Sequence, residues 1–151
     1  VFDISAEEFY KNHKMILAKQ GLKISYSFEL FNKIYKAGYE HNSARTIAGY
    51  DSKNNLHAAL FIIWDKLSAY DLISTIDPDY RVYGAASLLI KEVITFVSTI
   101  TKKIDFEGSM IESVERSFRQ FGAIQKPYFN VSKTQSKMLQ IANCITKSFT
   151  D

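Results

Sequence analysis

The stretch that most constrains the fold is residues 77–87, where a strand-like segment passes through small residues into a strongly apolar helix. The segment before it, residues 67–76, reads as a strand, and the apolar pattern after it predicts a helix over residues 84–100. The first amides of a helix have no intrahelical acceptor, and the helix dipole adds partial positive charge at that end. A strand, a small-residue turn and a helix N-terminus in this order therefore predict an anion site.

The side chains of this stretch fit that prediction. It contains Arg81-x-x-Gly84-x-Ala86, in which two small residues would let a pyrophosphate approach the backbone. Arg81 would add a charge-assisted hydrogen bond. The predicted phosphate contacts are Arg81, the backbone of Val82, Tyr83, Gly84, Ala85 and Ala86, and Ser87. The alternative is that the small residues serve only helix–sheet packing and Arg81 is solvated, and it stays open because the motif is short and common.

Composition limits the class of protein and its partners. The 151 residues, 46% of them hydrophobic, are enough for one domain with a core. The net charge of +3 suits a polyanionic ligand but is too small to indicate a DNA-binding surface. Cys144 is the only cysteine, which rules out an internal disulfide and favours a reducing, cytoplasmic compartment. The three histidines lack ligand spacing and suggest surface or half-buried roles, so no metal is expected, and no segment resembles a membrane span.

Periodicity predicts ten elements in the order α-α-β-β-β-α-β-α-β-α. Ser5 opens a capping box, and Ser27 precedes a second amphipathic pattern that ends at Gly38. We predict helices at 5–20, 27–38 and 84–100, strands at 43–50, 56–64, 67–76 and 103–106, a helix from Ser109 or Ser113 to Phe121, a strand at 124–132 and a helix at 134–149. This order predicts an α/β (α+β) fold in which helices flank a mixed, mostly antiparallel sheet within one domain, residues 1–151.

With the anion motif between the third strand and the central helix, this order resembles the GNAT acyltransferases, whose acyl-CoA pyrophosphate loop reads Gln/Arg-x-x-Gly-x-Gly/Ala. A closer likeness is to the C-terminal GNAT-like domain of FemAB-like acyltransferases, including bacterial "acetyltransferase (GNAT) domain" proteins. Residues 104–110, 115–123 and 126–129 carry that closer likeness. Because the sequence begins with Val1 rather than Met, we leave open that it is the C-terminal part of a longer, two-domain protein.

The resemblance implies transfer of an acyl group from acetyl-CoA or another acyl-CoA to an amine by direct attack. The acceptor would be a small molecule or a peptidoglycan precursor. In this family the pantetheine arm lies beside the strand before the loop, which implies contacts with the backbone of Ile73 and Ser74. Two alternatives stay open. One is a non-catalytic GNAT-like module with a second domain or a homodimeric partner. The other is an aminoacyl-tRNA-dependent transferase of cell-wall precursors, which the modest charge does not favour.

Amine acylation also needs a base and a proton donor. Asp105 and Glu107 are two apart on a predicted strand, so we expect them on one face, where paired carboxylates can raise one pKa. The alternative is a solvated pair or a helix cap. Many GNAT enzymes protonate the leaving thiolate with a tyrosine, and the matching position here is Phe118. Tyr128 or Tyr83 would replace it, unless the thiolate leaves unaided or the domain is not catalytic.

Overall fold

A four-stranded sheet with strand order β1-β2-β3-β4 forms the centre of the protein. The computed structural model describes residues 1–107, 112–127 and 131. The elements are α1 (Ala6–Lys19), α2 (Phe28–Glu40), β1 (Ala44–Tyr50), β2 (Leu56–Trp64), β3 (Ala69–Ile76), a 3₁₀ helix (Pro78–Tyr83), α3 (Ala85–Val97), β4 (Ile104–Asp105) and α4 (Glu112–Arg119). The first three strands are antiparallel and β4 joins β3 in parallel. The predicted fold class, with its three-stranded meander, is confirmed.

Serine caps fix where the first two helices begin. The Ser5 hydroxyl accepts a hydrogen bond from the Glu8 amide at 3.1 Å, and the Ser27 hydroxyl accepts one from the Leu30 amide at 3.2 Å. Each satisfies an amide that the helix itself leaves without an acceptor. The predicted cap at Ser5 is therefore confirmed, and Ser27, which was predicted to precede the second helix, caps it.

The sheet is covered on both faces by different kinds of side chain. Helices α1 and α2 cover one face with aromatic rings, and Phe31 lies 5.4 Å from both Phe9 and Phe61, measured between ring centroids. Helix α3 covers the other face with aliphatic side chains, among them Leu89 and Val93. Because β2 is buried on both faces, its sequence is a nearly continuous apolar run rather than an alternating one.

The predicted end of α2 at Gly38 is wrong. The helix continues to Glu40, and Gly38 lies inside it. A Cβ atom at Gly38 would stand 2.4 Å from the Cβ of Ala44, so the glycine allows α2 to lie close against β1. A packing contact between distant residues explains this glycine, and a local helix-termination signal does not.

Other predicted elements are shorter, absent or outside the described residues. The strand at 103–106 is reduced to Ile104–Asp105, and α4 ends at Arg119 instead of Phe121. Residues 123–127 form no strand, and Pro127 has no amide to donate to a ladder. Ser109, most of the predicted strand 124–132 beyond Pro127, and the predicted helix 134–149 lie outside the described residues. His13, expected to be on the surface or half-buried, is 8% exposed because α1 turns it toward the aromatic core.

Candidate active site

The outer edge of β3 is paired with a strand along only a short part of its length. Strand β4 pairs with it at Ala69–Ile104 and Tyr70–Asp105. From residue 71 to residue 76, no described strand lies on that side of β3. Open strand edges present backbone N–H and C=O groups that an extended ligand can pair with. The sheet thus opens beside the segment that leads to the predicted anion site.

A bulge lies at the start of this open edge. Phe61 of β2 is opposite Ile73, whereas Ile62 is opposite Asp71, so Leu72 is an extra residue in β3. Directly opposite residues share a face of the sheet. Asp71 therefore points to the α3 face, while Leu72 and Ile73 both pack into the core under α1 and α2. Ile73 and Ser74 are the two residues whose backbone was predicted to contact the pantetheine arm. The Ile73 side chain packs into the core, and Ser74 is exposed.

Asp71 is a buried carboxyl group on the α3 face beside the open edge. It is 6% exposed, and its Oδ2 accepts a hydrogen bond from the Ser74 hydroxyl at 2.6 Å. Its Oδ1 has no hydrogen-bond partner among the described residues. Burial raises the pKa of Asp71 to about 6, the Ser74 hydrogen bond opposes that rise, and the charge of Glu107 adds to it. A carboxyl group with such a pKa can accept a proton near neutral pH.

Asp71 is not among the residues predicted from the sequence. Its signal was that Asp71 is the only charged residue of the strand Ala69–Ile76, and aspartate is rarely buried unless it is paired. The local sequence pattern marks Asp71 only as a strand residue. The bulge that turns its side chain to the α3 face depends on the pairing of β3 with β2.

The predicted arrangement of Asp105 and Glu107 is wrong. Strand β4 ends at Asp105, and Glu107 has a φ of 59°, so the two carboxylates do not line one strand face. The Glu107 amide instead donates to Asp105 Oδ1 at 2.9 Å, which makes Asp105 a local turn residue. Glu107 is near enough to Asp71 for its charge to raise the pKa of that group. The charge of Glu107, which follows the end of β4, therefore acts on Asp71 of β3.

The stretch that was predicted to bind an anion folds as a 3₁₀ helix followed directly by α3. Gly84 adopts a left-handed conformation, with a φ of 72°, and no side chain caps the new helix. The first α3 amide that bonds back is that of Leu88, to the Gly84 carbonyl at 3.1 Å. The amides of Ala85, Ala86 and Ser87 thus have no intrahelical acceptor.

The residues before Gly84 differ in part from the prediction. Arg81 is exposed and forms no ion pair with any carboxylate in the described part of the chain. Val82 and Tyr83 lie within the 3₁₀ helix rather than in an open loop, and their side chains are 88% and 70% exposed. Arg81 and the first turn of α3 are therefore both accessible to a ligand from solvent.

Two sets of contacts hold the 3₁₀ helix in place. Lys19, at the end of α1, donates to Asp77 Oδ2 at 2.6 Å and to Asp79 Oδ2 at 2.8 Å. These hydrogen bonds raise the pKa of Lys19 above its usual range. On the other side, the His57 and Tyr80 rings stack with centroids 4.2 Å apart. The 3₁₀ helix is therefore fixed by side chains from α1 and β2.

Phe118, at the position where the resemblance implies a tyrosine proton donor, is a packing residue. Its ring stacks on Phe106 at 4.5 Å between centroids, with 12° between the ring planes. Of the two predicted replacements, Tyr83 projects from the 3₁₀ helix and Tyr128 lies outside the described residues. The prediction that Tyr128 is catalytic stays a prediction.

Neither a metal-binding cluster nor a membrane-spanning helix is present among the described residues. No three His, Cys, Asp or Glu side chains in these ranges lie close enough together to hold a metal ion. No helix in the same part of the chain combines the length and apolarity needed to cross a membrane.

Solved structures share this architecture at low sequence identity. Glucosamine-6-phosphate N-acetyltransferase from Arabidopsis thaliana has a TM-score of 0.63 and 11% identity, covering 90% of this chain and 99% of its own. A predicted acetyltransferase from Clostridium acetobutylicum, solved with acetyl-CoA, has a TM-score of 0.67 and 10% identity, covering 88% and 96%. Aminoglycoside 6'-N-acetyltransferase from Acinetobacter haemolyticus has a TM-score of 0.59 and 13% identity, covering 90% and 98%.

These likenesses show that the chain has the GNAT fold, as predicted. No protein-family model matches the sequence, and no curated protein matches it in sequence comparison. The closer likeness to FemAB-like proteins stays a prediction.

Proposed function

We propose that this chain is an N-acyltransferase that moves an acyl group from acetyl-CoA, or another acyl-CoA, to an amine. The observation that supports this is the continuity between the open edge of β3 and the uncapped N-terminus of α3. An acyl-CoA has matching chemistry along its length. The amide groups of its pantetheine arm can pair with the strand edge, and its pyrophosphate can bind the amides of residues 85–87 and the Arg81 guanidinium.

The reaction follows from the groups on β3. The amine nitrogen attacks the thioester carbonyl carbon, a C–N bond forms, and the C–S bond breaks as the thiolate leaves. A proton from the attacking nitrogen passes to Asp71, whose pKa of about 6 leaves it ionised at neutral pH but more basic than an ordinary aspartate. Successive amides of a strand point to opposite edges, so whichever of the Ile73 and Ser74 amides faces the open edge would stabilise the negative charge that develops on the carbonyl oxygen. The thiolate takes its proton from solvent or from a tyrosine.

The structural neighbours support the same class of reaction. Two of them are N-acetyltransferases by name, one of glucosamine-6-phosphate and one of aminoglycosides, and a third was solved with acetyl-CoA. At 10–13% identity the likeness carries no acceptor identity to this chain. The acceptor class has to be argued from this chain's own side chains.

A thiol-release assay with acetyl-CoA and a panel of primary amines tests the proposal. We expect CoA release that depends on the amine, on Asp71 and on Arg81, with Asp71→Asn lowering kcat and Arg81→Ala raising the KM for acetyl-CoA. No release with any amine, from protein that is folded by circular dichroism, would contradict an acetyl-CoA-dependent acyltransferase.

A non-catalytic GNAT-like module is the second candidate, and the packing of Phe118 on Phe106 favours it. Binding of acetyl-CoA without turnover would support that candidate. The closer kinship with FemAB-like proteins, and with it an aminoacyl-tRNA donor and a cell-wall acceptor, rests on the sequence likeness of residues 104–110, 115–123 and 126–129. Turnover with aminoacyl-tRNA but not with acetyl-CoA would favour this reading.

A further inference from the structure

Ser74 is the exposed partner of the buried Asp71 carboxyl group. Its hydroxyl donates a hydrogen bond to Asp71 Oδ2 at 2.6 Å. Asp71 is 6% exposed, and its Oδ1 is buried without a partner among the described residues, whereas Ser74 is open to solvent. A substrate that approaches from solvent therefore meets the Ser74 hydroxyl before it meets the carboxylate.

The bulge at Leu72 brings these two side chains together. Residues three apart on a regular strand point to opposite faces of the sheet. Asp71 lies opposite Ile62 of β2. Because one residue of β3 is extra, Ser74 lies opposite Leu60, which, like Ile62, belongs to the aliphatic core under α3. Both side chains are therefore on the α3 face, and bulges next to active sites re-aim side chains in this way.

Helix α3 leaves Ser74 uncovered. The helix packs on β1 and β2, and Ser74 of β3 stays exposed beside it. Ser74 also belongs to residues 71–76, along whose outer edge no described strand pairs with β3. A thioester that lies along this open edge and an amine that arrives over the α3 face would therefore meet beside the Ser74 hydroxyl.

The hydrogen bond to Asp71 gives the Ser74 hydroxyl a defined direction. A serine hydroxyl has one proton to donate, and Ser74 donates it to Asp71, so its oxygen can only accept a further hydrogen bond. No described residue donates to that oxygen. The oxygen therefore suits an N–H group of an uncharged amine, whose nitrogen lone pair stays free to attack.

We propose that Ser74 is a catalytic residue whose hydroxyl passes a proton from the attacking amine to Asp71. As the nitrogen bonds to the thioester carbonyl carbon, one N–H proton moves to Ser74 Oγ while the Ser74 proton moves to Asp71 Oδ2. The hydroxyl is restored, Asp71 becomes a neutral carboxylic acid, and the electron pair of the C–S bond leaves with the thiolate. Asp71 then loses its proton to solvent by the same path. This inference rests on the proposed function and adds the side chain that touches the nucleophile.

Steady-state kinetics on Ser74 variants tests this proton relay. Ser74→Ala should lower kcat roughly tenfold or more, with little change in the KM for acetyl-CoA. Ser74→Thr keeps a hydroxyl on a residue type that strands favour and should restore most of kcat. Ser98→Ala is the matched control, because the exposed Ser98 hydroxyl donates only to the Thr95 carbonyl, at 2.7 Å, and kcat should not change. An unchanged kcat in Ser74→Ala would overturn the inference.

The pH dependence of kcat separates proton transfer from a merely structural role of Ser74. The Ser74 hydrogen bond opposes the rise in the pKa of Asp71 that burial and the charge of Glu107 cause. Ser74→Ala should therefore raise this pKa further and move the acid limb of the profile to higher pH. We expect kcat to stay low even at about pH 9, where Asp71 is ionised in both proteins. A loss confined to the acid limb would mean that Ser74 only adjusts the pKa of Asp71, and it would overturn the relay.

Binding of a bisubstrate analogue separates this inference from the proposed function. The analogue carries an N-propylacetamide group on the CoA sulfur, so its amide N–H takes the place of the N–H of the attacking amine. We expect Ser74→Ala to bind the analogue roughly three- to tenfold more weakly in calorimetry, with unchanged affinity for CoA, and Ser98→Ala to bind both like the unmodified protein.

Each outcome of this titration is decisive. Weaker binding by Ser74→Ala, without CoA release from acetyl-CoA by the unmodified protein, would uphold the Ser74 contact and contradict only the acyltransferase proposal. Equal binding by Ser74→Ala and the unmodified protein would overturn the inference even if the protein acetylates amines. If the unmodified protein does not bind the analogue, both proposals fail.

Discussion

The two edges of β3 serve different purposes. Its inner edge pairs with β2 from Ala69 to Ile76 and lies over the aromatic core around Phe61. Its outer edge pairs with β4 at two positions and then opens, beside the bulge at Leu72 and the buried carboxyl of Asp71. The closed edge satisfies backbone groups internally, whereas the open edge leaves them available to a ligand. One edge of β3 therefore contributes to folding stability, and the opposite edge of the same strand is available for the proposed chemistry.

The largest effect is expected at the open edge. Asp71→Asn keeps the size of the side chain and a hydrogen-bonding partner for Ser74, but it removes the proton acceptor. We expect kcat to fall roughly 10²- to 10⁴-fold, the range for loss of a general base, with little change in the KM for acetyl-CoA. Steady-state kinetics checks this, and activity within twofold of the unmodified protein would exclude Asp71 as the base.

At the closed edge the expected effect is on folding. Phe61 is completely buried and its ring lies 5.4–6.1 Å from those of Phe9, Phe31 and Tyr35. Phe61→Ala should lower the free energy of unfolding by about 3–5 kcal/mol, and Phe61→Leu by clearly less, because a smaller cavity remains. Urea denaturation measures both. If Phe61→Ala changed donor affinity at a temperature where it is folded, the separation of the two edges would fail.

The pH dependence of stability compares Asp71 with an ordinary aspartate. The folded-state pKa of about 6 lies above the usual 3.8, so the folded protein holds a proton that the unfolded chain has lost. The stabilising contribution is full below about pH 4 and disappears as pH rises to about 6, a change of about 3 kcal/mol. Asp71→Asn should remove this loss, so its stability relative to the unmodified protein should increase across that window. Parallel curves for the two proteins between pH 4 and 7 would contradict the raised pKa.

Two arginines provide the smallest comparison. Arg81 is exposed beside the first turn of α3, whereas Arg45 lies over the Phe96 ring at 4.3 Å and 3.3 Å from Asp3. Arg81→Ala should weaken acetyl-CoA binding by roughly 1.5–3 kcal/mol, about 10- to 150-fold, without changing Tm. Arg45→Ala should instead lower stability by about 1 kcal/mol and leave binding unchanged. Weaker acetyl-CoA binding in Arg45→Ala, with unchanged binding in Arg81→Ala, would mean that acetyl-CoA binds elsewhere.

Much of the fold could be predicted because its signals are local. Ser5 and Ser27 cap their helices, and the run from Leu56 to Trp64 has the bounds of β2 because both faces of that strand are covered. Gly84 stands at the predicted start of α3, and its left-handed conformation is one that glycine adopts readily.

The parts that could not be predicted depend on contacts between distant residues. Gly38 was assigned to a helix end because its contact with Ala44 of β1 leaves no mark in the sequence around it. The bulge at Leu72 exists only in the pairing of β2 with β3, and it decides that Asp71 faces the α3 side. The turn at Glu107 breaks the period-two pattern that had placed it beside Asp105. The position of the predicted anion motif between β3 and α3 could therefore be read from the sequence, and its role in binding stays a prediction, whereas the carboxyl group beside the open edge could not be predicted.

Calorimetric titration with acetyl-CoA tests most directly whether the open edge of β3 and the first turn of α3 form one donor site. We predict saturable binding at one site, with a dissociation constant in the range of about 1 μM to 1 mM that is typical of enzyme substrates. Binding should weaken in Arg81→Ala and persist in Arg45→Ala. The absence of saturable binding by the folded, unmodified protein across that concentration range would contradict the donor site.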